Sequence, residues 1–204
     1  MSDTHEAKTL EGIVLRAYPS GESDLVLRIL TPAEGKISAI AKHVRKSGKR
    51  FSGTLDLFDC GRFEIHSGRG SLPLVRGFNP ITSFAALRGS LDKIAAAALL
   101  CETIDYLSLE GAGHEEHNQY ETLVLGLRTI ESATSRAEIL SAAYDCCAHL
   151  VLQAGFLDPA QLGAGTTKKL RLLLNHIETC VEKKLTARPA FDSVIDAFSR
   201  EASQ

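Results

Sequence analysis

The chain contains no tryptophan, and only 6% of its 204 residues are aromatic. Its five cysteines, Cys60, Cys101, Cys146, Cys147 and Cys180, include no C-x-x-C pair. An odd count without that spacing argues against a disulfide framework and against a zinc ribbon. Cys146 and Cys147 are adjacent in a helical pattern, where neighbours diverge by roughly 100° and rarely share one ion. The plain reading is five small buried or half-buried thiols, with no metal and no cofactor. The chain also lacks any run of about 18 apolar residues, so no membrane span is expected. The longest apolar patch, Ile94–Cys101, is too short. The opening MSDTHEAKTLEG is polar and has no apolar leader core, which places the protein in the cytoplasm.

Catalytic signatures are missing as well. There is no G-x-x-x-x-G-K-[ST] phosphate loop and no G-x-S-x-G nucleophile elbow. His114-Glu-Glu-His117 has H-x-x-H spacing, unlike the H-E-x-x-H of metalloproteases. It lies beside Gly111 and Gly113 and reads as a solvated acidic loop. Asp56 and Asp59 fall three apart in a strand pattern, which sends them to opposite faces rather than into an acid/base pair. No catalytic residue is assigned, and the protein is not expected to be an enzyme.

What is present is a chain of two characters. Hydrophobic residues make up 44%, enough for a real core. The net charge of −2 hides an asymmetry: residues 1–80 carry 12 Lys and Arg against 9 Asp and Glu, residues 81–204 carry 11 against 16. Up to residue 80 the pattern alternates with a period of two, in GIVLRAY, DLVLRIL and KISAIAK, then in LDLFDCGRFEIH and LPLVRGF. Turn chemistry separates these runs (PSGES, TPAEG, HSGRG). Five short strands in so few residues predict a small β-barrel. Beyond Pro80 the period becomes helical, with a break at Leu109–Gly113. Helices are predicted near Asn118–Glu131, over Ala137–Gln153 with Gly155 as the stop, over Thr166–Glu182, and from Pro189 to about Arg200. The fold class is α+β: a barrel domain over 1–80 and a helical domain over 81–204.

One stretch concentrates the positive charge. From Gly35 to Leu55 there are six basic residues and no acid. Lys42, Arg45, Lys46, Lys49 and Arg50 fall within AKHVRKSGKRFSG, between two predicted strands. Such a loop suits phosphate contacts, because bound cations release counterions from a nucleic acid. Lys36, Arg16 and Arg76 on neighbouring strands are supporting candidates. Phe51, with Tyr18 or Phe63 as alternatives, is the candidate for stacking on an unpaired base. The competing reading makes Phe51 the residue that pins the loop, and the cations a solubility device. In the second half, Lys168, Lys169 and Arg171 open an apolar helix, and Lys183, Lys184 and Arg188 follow it. They could flank a groove for an acidic, hydrophobic peptide; for Lys183, Lys184 and Arg188 the alternative is that they simply complement a helix end.

These N-terminal residues resemble a known family. Glu11–Arg16, Gly21–Leu25, Leu30-Thr31, Gly35-Lys36, Ala41-Lys42, Arg45-Lys46, Arg50-Phe51 and Leu55 form an ordered match, about 45 residues long, to the opening of the bacterial RecO recombination mediators. LVLQAGF at 150–156 and Leu185-Thr-Ala-Arg188 resemble later elements of that family. The resemblance implies an oligonucleotide-binding (OB) barrel followed by an all-helical domain. It implies binding to single- and double-stranded DNA and annealing of complementary strands. It further implies partnership with RecR, loading of RecA onto DNA coated by single-stranded-DNA-binding protein, and capture of that coating protein's C-terminal tail, with Lys168, Lys169, Arg171 and Arg188 as partner-binding candidates. The protein would then be associated with the nucleoid. Two departures stand out. His43 replaces a position that is commonly glycine in the family, and a zinc module with two C-x-x-C pairs, common in relatives, is replaced by Asp158–Gly165. The alternatives are a protein adaptor whose basic loop grips an acidic partner, and an OB-type RNA-binding module.

Overall fold

The computed structural model describes residues 7–44, 51, 55–67, 71–111, 117–156 and 167–203. Two compact units emerge. One comprises Met1–Ser83 and Leu109–Tyr120, the other Phe84–Ser108 and Glu121–Gln204. The segment from Leu109 to Tyr120 therefore belongs with the barrel, although in sequence it lies inside the helical half.

Five strands, β1 (Ala7–Ser20), β2 (Asp24–Thr31), β3 (Gly35–Ala41), β4 (Cys60–His66) and β5 (Leu74–Thr82), close into a barrel in the order β1-β2-β3-β5-β4. All pairs are antiparallel except β3 with β5, which is parallel and short, through Ile40↔Leu74 and Ala41↔Val75. The period-two alternation fixes which side chains face inward. Leu27, Ile29, Ala39, Ala41, Phe63, Ile65 and Val75 share one buried core, with Ala17, Leu25 and Ile37 packed against it. Each large side chain removed from water contributes roughly 1.5–3 kcal/mol, so a one-residue register slip, which would turn that set outward, is strongly disfavoured. Close strand crossing also needs Gly61: a Cβ there would sit 2.3 Å from the Asn79 carbonyl oxygen.

LDLFD, the first part of the predicted fourth strand, is instead a tight turn. Phe58 adopts a left-handed φ of 55°. The Asp56 N–H donates to Asp59 Oδ2 at 2.9 Å, and the Asp59 N–H donates to the Asp56 carbonyl. The turn docks on β1 at its bulge: the Phe58 N–H donates to the Val14 carbonyl, and the Val14 N–H to that of Asp59. Burial of the Phe58 ring offsets the backbone strain. The carboxylate of Asp59 is thus a turn clasp. Tyr120 joins its own segment to the barrel by donating to Glu11 Oε1 at 3.2 Å, with Cys60 Sγ at 3.6 Å. Burial, then the neighbouring Cys60 and Glu11, hold its phenol well above the ordinary tyrosine range, so it remains a donor.

The second unit holds helices α1 (Leu91–Leu107), α2 (His117–Ser132, from Glu121 onward), α3 (Arg136–Gln153), α4 (Thr167–Cys180) and α5 (Arg188–Glu201). α1 is buried nearly all round and packs against α3 and α5, which makes it the central helix of this unit. The Ser135 hydroxyl caps α3 by accepting from the Glu138 N–H, while Glu138 reaches back to the Thr134 N–H at 2.6 Å. Gly155, at φ 75°, ends α3, with Phe156 N–H donating to the Val151 carbonyl and Gly155 N–H to that of Leu152. Cys60, Cys101, Cys146 and Cys147 are buried and Cys180 is half-buried. Burial pushes the Cys147 thiol up to about 12, so it stays neutral.

Candidate nucleic-acid interface

The ends of the basic segment are anchored in the barrel core. Val44, Phe51 and Leu55 are all buried there, Phe51 at 1% exposure. Phe51 therefore pins the chain, and the expectation that it stacks on a base is corrected: its ring has no accessible face. Phe63 is equally enclosed, against Phe78 at 4.7 Å between ring centroids. Arg45, Lys46, Lys49 and Arg50 lie outside the described residues.

His43 adopts φ 58°. Local partners hold it there. The Asp24 carboxylate accepts its backbone N–H at 2.8 Å, and its ring Nδ1 lies 3.2 Å from Ser23 Oγ. These bonds compensate for a backbone conformation that glycine would adopt freely.

The strand register assembles the remaining candidates on the outer barrel face. Odd-numbered residues of β2 and β3 point inward, so even-numbered ones point out. Three rows result. Arg16 lies opposite Arg28, and Arg28 opposite Ser38. The next row runs Tyr18, Val26, Ile40, Leu74 across four strands. In the third, Ser20 pairs with Asp24, and Lys42 and Arg76 follow directly on the last parallel partners, Ala41 and Val75. Lys42 and Arg76 are exposed, Arg16 and Arg28 half-buried. Successive rows are roughly 7 Å apart, twice the rise per strand residue. Cations thus bracket an apolar row that carries one aromatic ring. Arg28 was missed from sequence, because only the register sets it opposite Arg16.

Lys36 shares this outer face but at its covered end. It is 8% exposed, its carbonyl accepts the Gly111 N–H at 3.0 Å, and Leu30 opposite it is fully buried. Its assignment as a supporting DNA contact is corrected: the segment at 110–111, distant in sequence, bridges to β3 there.

In the helical unit the candidates separate. Lys168 and Lys169 are exposed in the first turn of α4. Arg171 bonds Asp196 at 2.5 Å. Arg188, with a side chain 17% exposed, bonds Glu178 at 2.8 Å and Asn175 at 2.7 Å, with Asp192 at 3.4 Å. Arg171 and Arg188 thus tie α4 to α5. Arg188 is enclosed by these bonds, which corrects its assignment to partner capture, whereas the Arg171 side chain stays 43% exposed. The Leu185-Thr-Ala-Arg188 element is held by two acids. Glu178 accepts the Leu185 N–H and Glu102 accepts the Thr186 hydroxyl and the Ala187 N–H, the last two at 2.7 Å each. Burial raises the Glu178 carboxyl, but bonds from Lys184 and Leu185 and the Arg188 charge outweigh it, leaving it below the usual carboxylate range. Among the described residues no cluster of three or more metal-ligating side chains occurs, and no helix is long and apolar enough to cross a membrane.

A five-stranded barrel of this order, followed by helices, defines the OB-barrel class. Residues 1–84 match the family model described as Recombination protein O N terminal. Curated relatives bearing the name DNA repair protein RecO include one from Desulfatibacillum aliphaticivorans, 38% identical over 61% of this chain and 47% of that protein. Another, from Anaeromyxobacter dehalogenans, is 37% identical over 65% of this chain and 52% of that protein. A third, from Dehalococcoides mccartyi, is 30% identical over 86% of this chain and 67% of that protein. The chain belongs to the RecO family. It spans about half the length of the first two relatives.

Proposed function

We propose that this protein binds DNA on the outer barrel face and the adjoining basic segment, and acts as a recombination mediator that anneals complementary single strands. The observation that carries the reading is the three-row arrangement, with Arg16 and Arg28 on one side of the Tyr18 row and Lys42 and Arg76 on the other. Cations at those positions screen the repulsion between two phosphate backbones brought together. A surface, unlike an enclosing channel, holds one strand while leaving its bases open to a second. This work needs no catalytic residue, and the protein is proposed to act without turnover.

Family membership supports the remaining steps: cooperation with RecR, and loading of RecA onto DNA coated by single-stranded-DNA-binding protein. For the acidic tail of that coating protein, Lys168 and Lys169 remain the candidate contacts. Two lysines at a helix start oppose the helix dipole, so the dipole does not account for them.

The test is binding to a fluorescent single-stranded oligonucleotide across a salt series, beside a variant with Arg45, Lys46, Lys49 and Arg50 changed to Ala. The wild type is expected to bind, and the variant to bind more weakly with a salt slope shallower by roughly 0.7 per lost phosphate contact. Failure of the wild type to bind at low salt would favour the protein-adaptor reading. Preferential binding to the RNA oligomer in competition would favour the RNA module.

A further inference from the structure

We infer that Tyr18 and Arg28 form a stacking platform for one unpaired base on the outer face of β1 and β2. The inference rests on the proposed nucleic-acid reading and adds which part of the ligand is recognised: the base as well as the backbone.

The first observation is a census of rings. In the barrel unit Phe51, Phe58, Phe63, Phe78 and Tyr120 are buried. Tyr18, at 39% exposure, is the one exposed aromatic among the described residues of that unit. The second is the partner. Arg28 places its guanidinium carbon 5.9 Å from the centre of the Tyr18 ring, within cation–π range. The register explains why: Tyr18 faces Val26 and Arg16 faces Arg28, so Tyr18 and Arg28 are diagonal neighbours on one face. The ring is thereby held in place before any ligand arrives, which lowers the ordering cost of binding.

The third observation is the electrostatic setting. Arg16 and Arg28 sit directly opposite one another, which sets two cationic side chains side by side next to the ring. A nucleotide matches both halves of the site, with its base on the phenol and guanidinium planes and its phosphate against the two arginines. Val26 and Ile40 continue the apolar row beside the ring and offer a dry floor. A purely structural cross-strand pair would explain the contact of Tyr18 with Arg28, but it would confer no dependence on bases.

The chain's lack of tryptophan supplies the probe. Tyr18→Trp places a single indole at the site. The variant of the whole 204-residue chain is titrated with a labelled oligothymidylate and, separately, with an abasic oligomer of equal length. Anisotropy of the label reports binding, and indole emission reports stacking. The expected result is binding of both oligomers with quenching by the oligothymidylate alone. Tyr18→Ala is expected to weaken oligothymidylate binding about five-fold or more while leaving the abasic oligomer unaffected, and Tyr18→Phe to restore the affinity. Equal quenching by both oligomers, no quenching despite binding, or equal weakening of both by Tyr18→Ala would overturn the platform. Absence of any anisotropy change for the wild type would instead overturn the nucleic-acid reading, and the platform with it.

Discussion

The barrel and the helical unit place the same residue types differently. On the barrel, Arg16, Arg28, Lys42 and Arg76 are spread by the strand register over one outer face. In the helical unit, Arg171, Lys184 and Arg188 each meet a carboxylate within 2.8 Å. The positive first 80 residues and the negative remainder are the compositional trace of this difference. A cation count says little about binding; where the fold places each cation says more. Interhelical packing brings Glu178, Asp192 and Asp196 to the arginines, whereas the basic stretch from Gly35 to Leu55 has no acid of its own.

The comparison breaks first at Glu178. Glu178→Ala would leave the mostly buried Arg188 without its main carboxylate and the Leu185 N–H without its acceptor. A loss of roughly 3–5 kcal/mol is expected, read by urea unfolding, with DNA affinity of the folded protein unchanged. The pH dependence follows from the sign of the shift. The folded carboxyl is lowered, so its contribution is complete above the ordinary glutamate range and is lost as the pH falls through the folded value. The stability gap between wild type and Glu178→Gln is therefore expected to shrink on acidification from neutral pH to below about 4. A gap that stays constant would mean the ion pairs contribute nothing.

A smaller effect of opposite sign is expected at the start of α4. Changing Lys168 and Lys169 to Ala removes two cations from the positive end of the helix dipole. It should stabilise the unit by roughly 0.3–1 kcal/mol, seen as a slightly raised unfolding midpoint. Under the proposed reading, the same variant binds an acidic, hydrophobic C-terminal peptide more weakly.

Much of this was legible in the sequence, and the failures have physical causes. Period-two alternation places Leu27, Ile29, Ala39 and Ala41 in the core correctly, because one buried face fixes the register. Gly155 marks the end of α3 by local chemistry alone. LDLFD alternates like a strand, yet Phe58 takes a left-handed turn to reach the core. Phe51 reads as a stacking ring because its sequence neighbours are cations, but it lies buried in the barrel core. Lys36 is covered by a segment more than 70 positions away. The Arg16–Arg28 pair is invisible without the pairing register, and Arg171 and Arg188 required knowledge of which helices pack together. Burial and pairing set by distant segments decided each of these sites, and local pattern carries little of that information.

The most direct measurement of the central claim is single-stranded DNA affinity against salt for the wild type and for Lys42→Ala/Arg76→Ala, two exposed cations at the end of the β3–β5 pair. If the outer face grips phosphates, the variant binds more weakly and its log–log salt slope is shallower by roughly 1.4. An unchanged slope and affinity would contradict the account and leave the barrel face without a role in DNA binding.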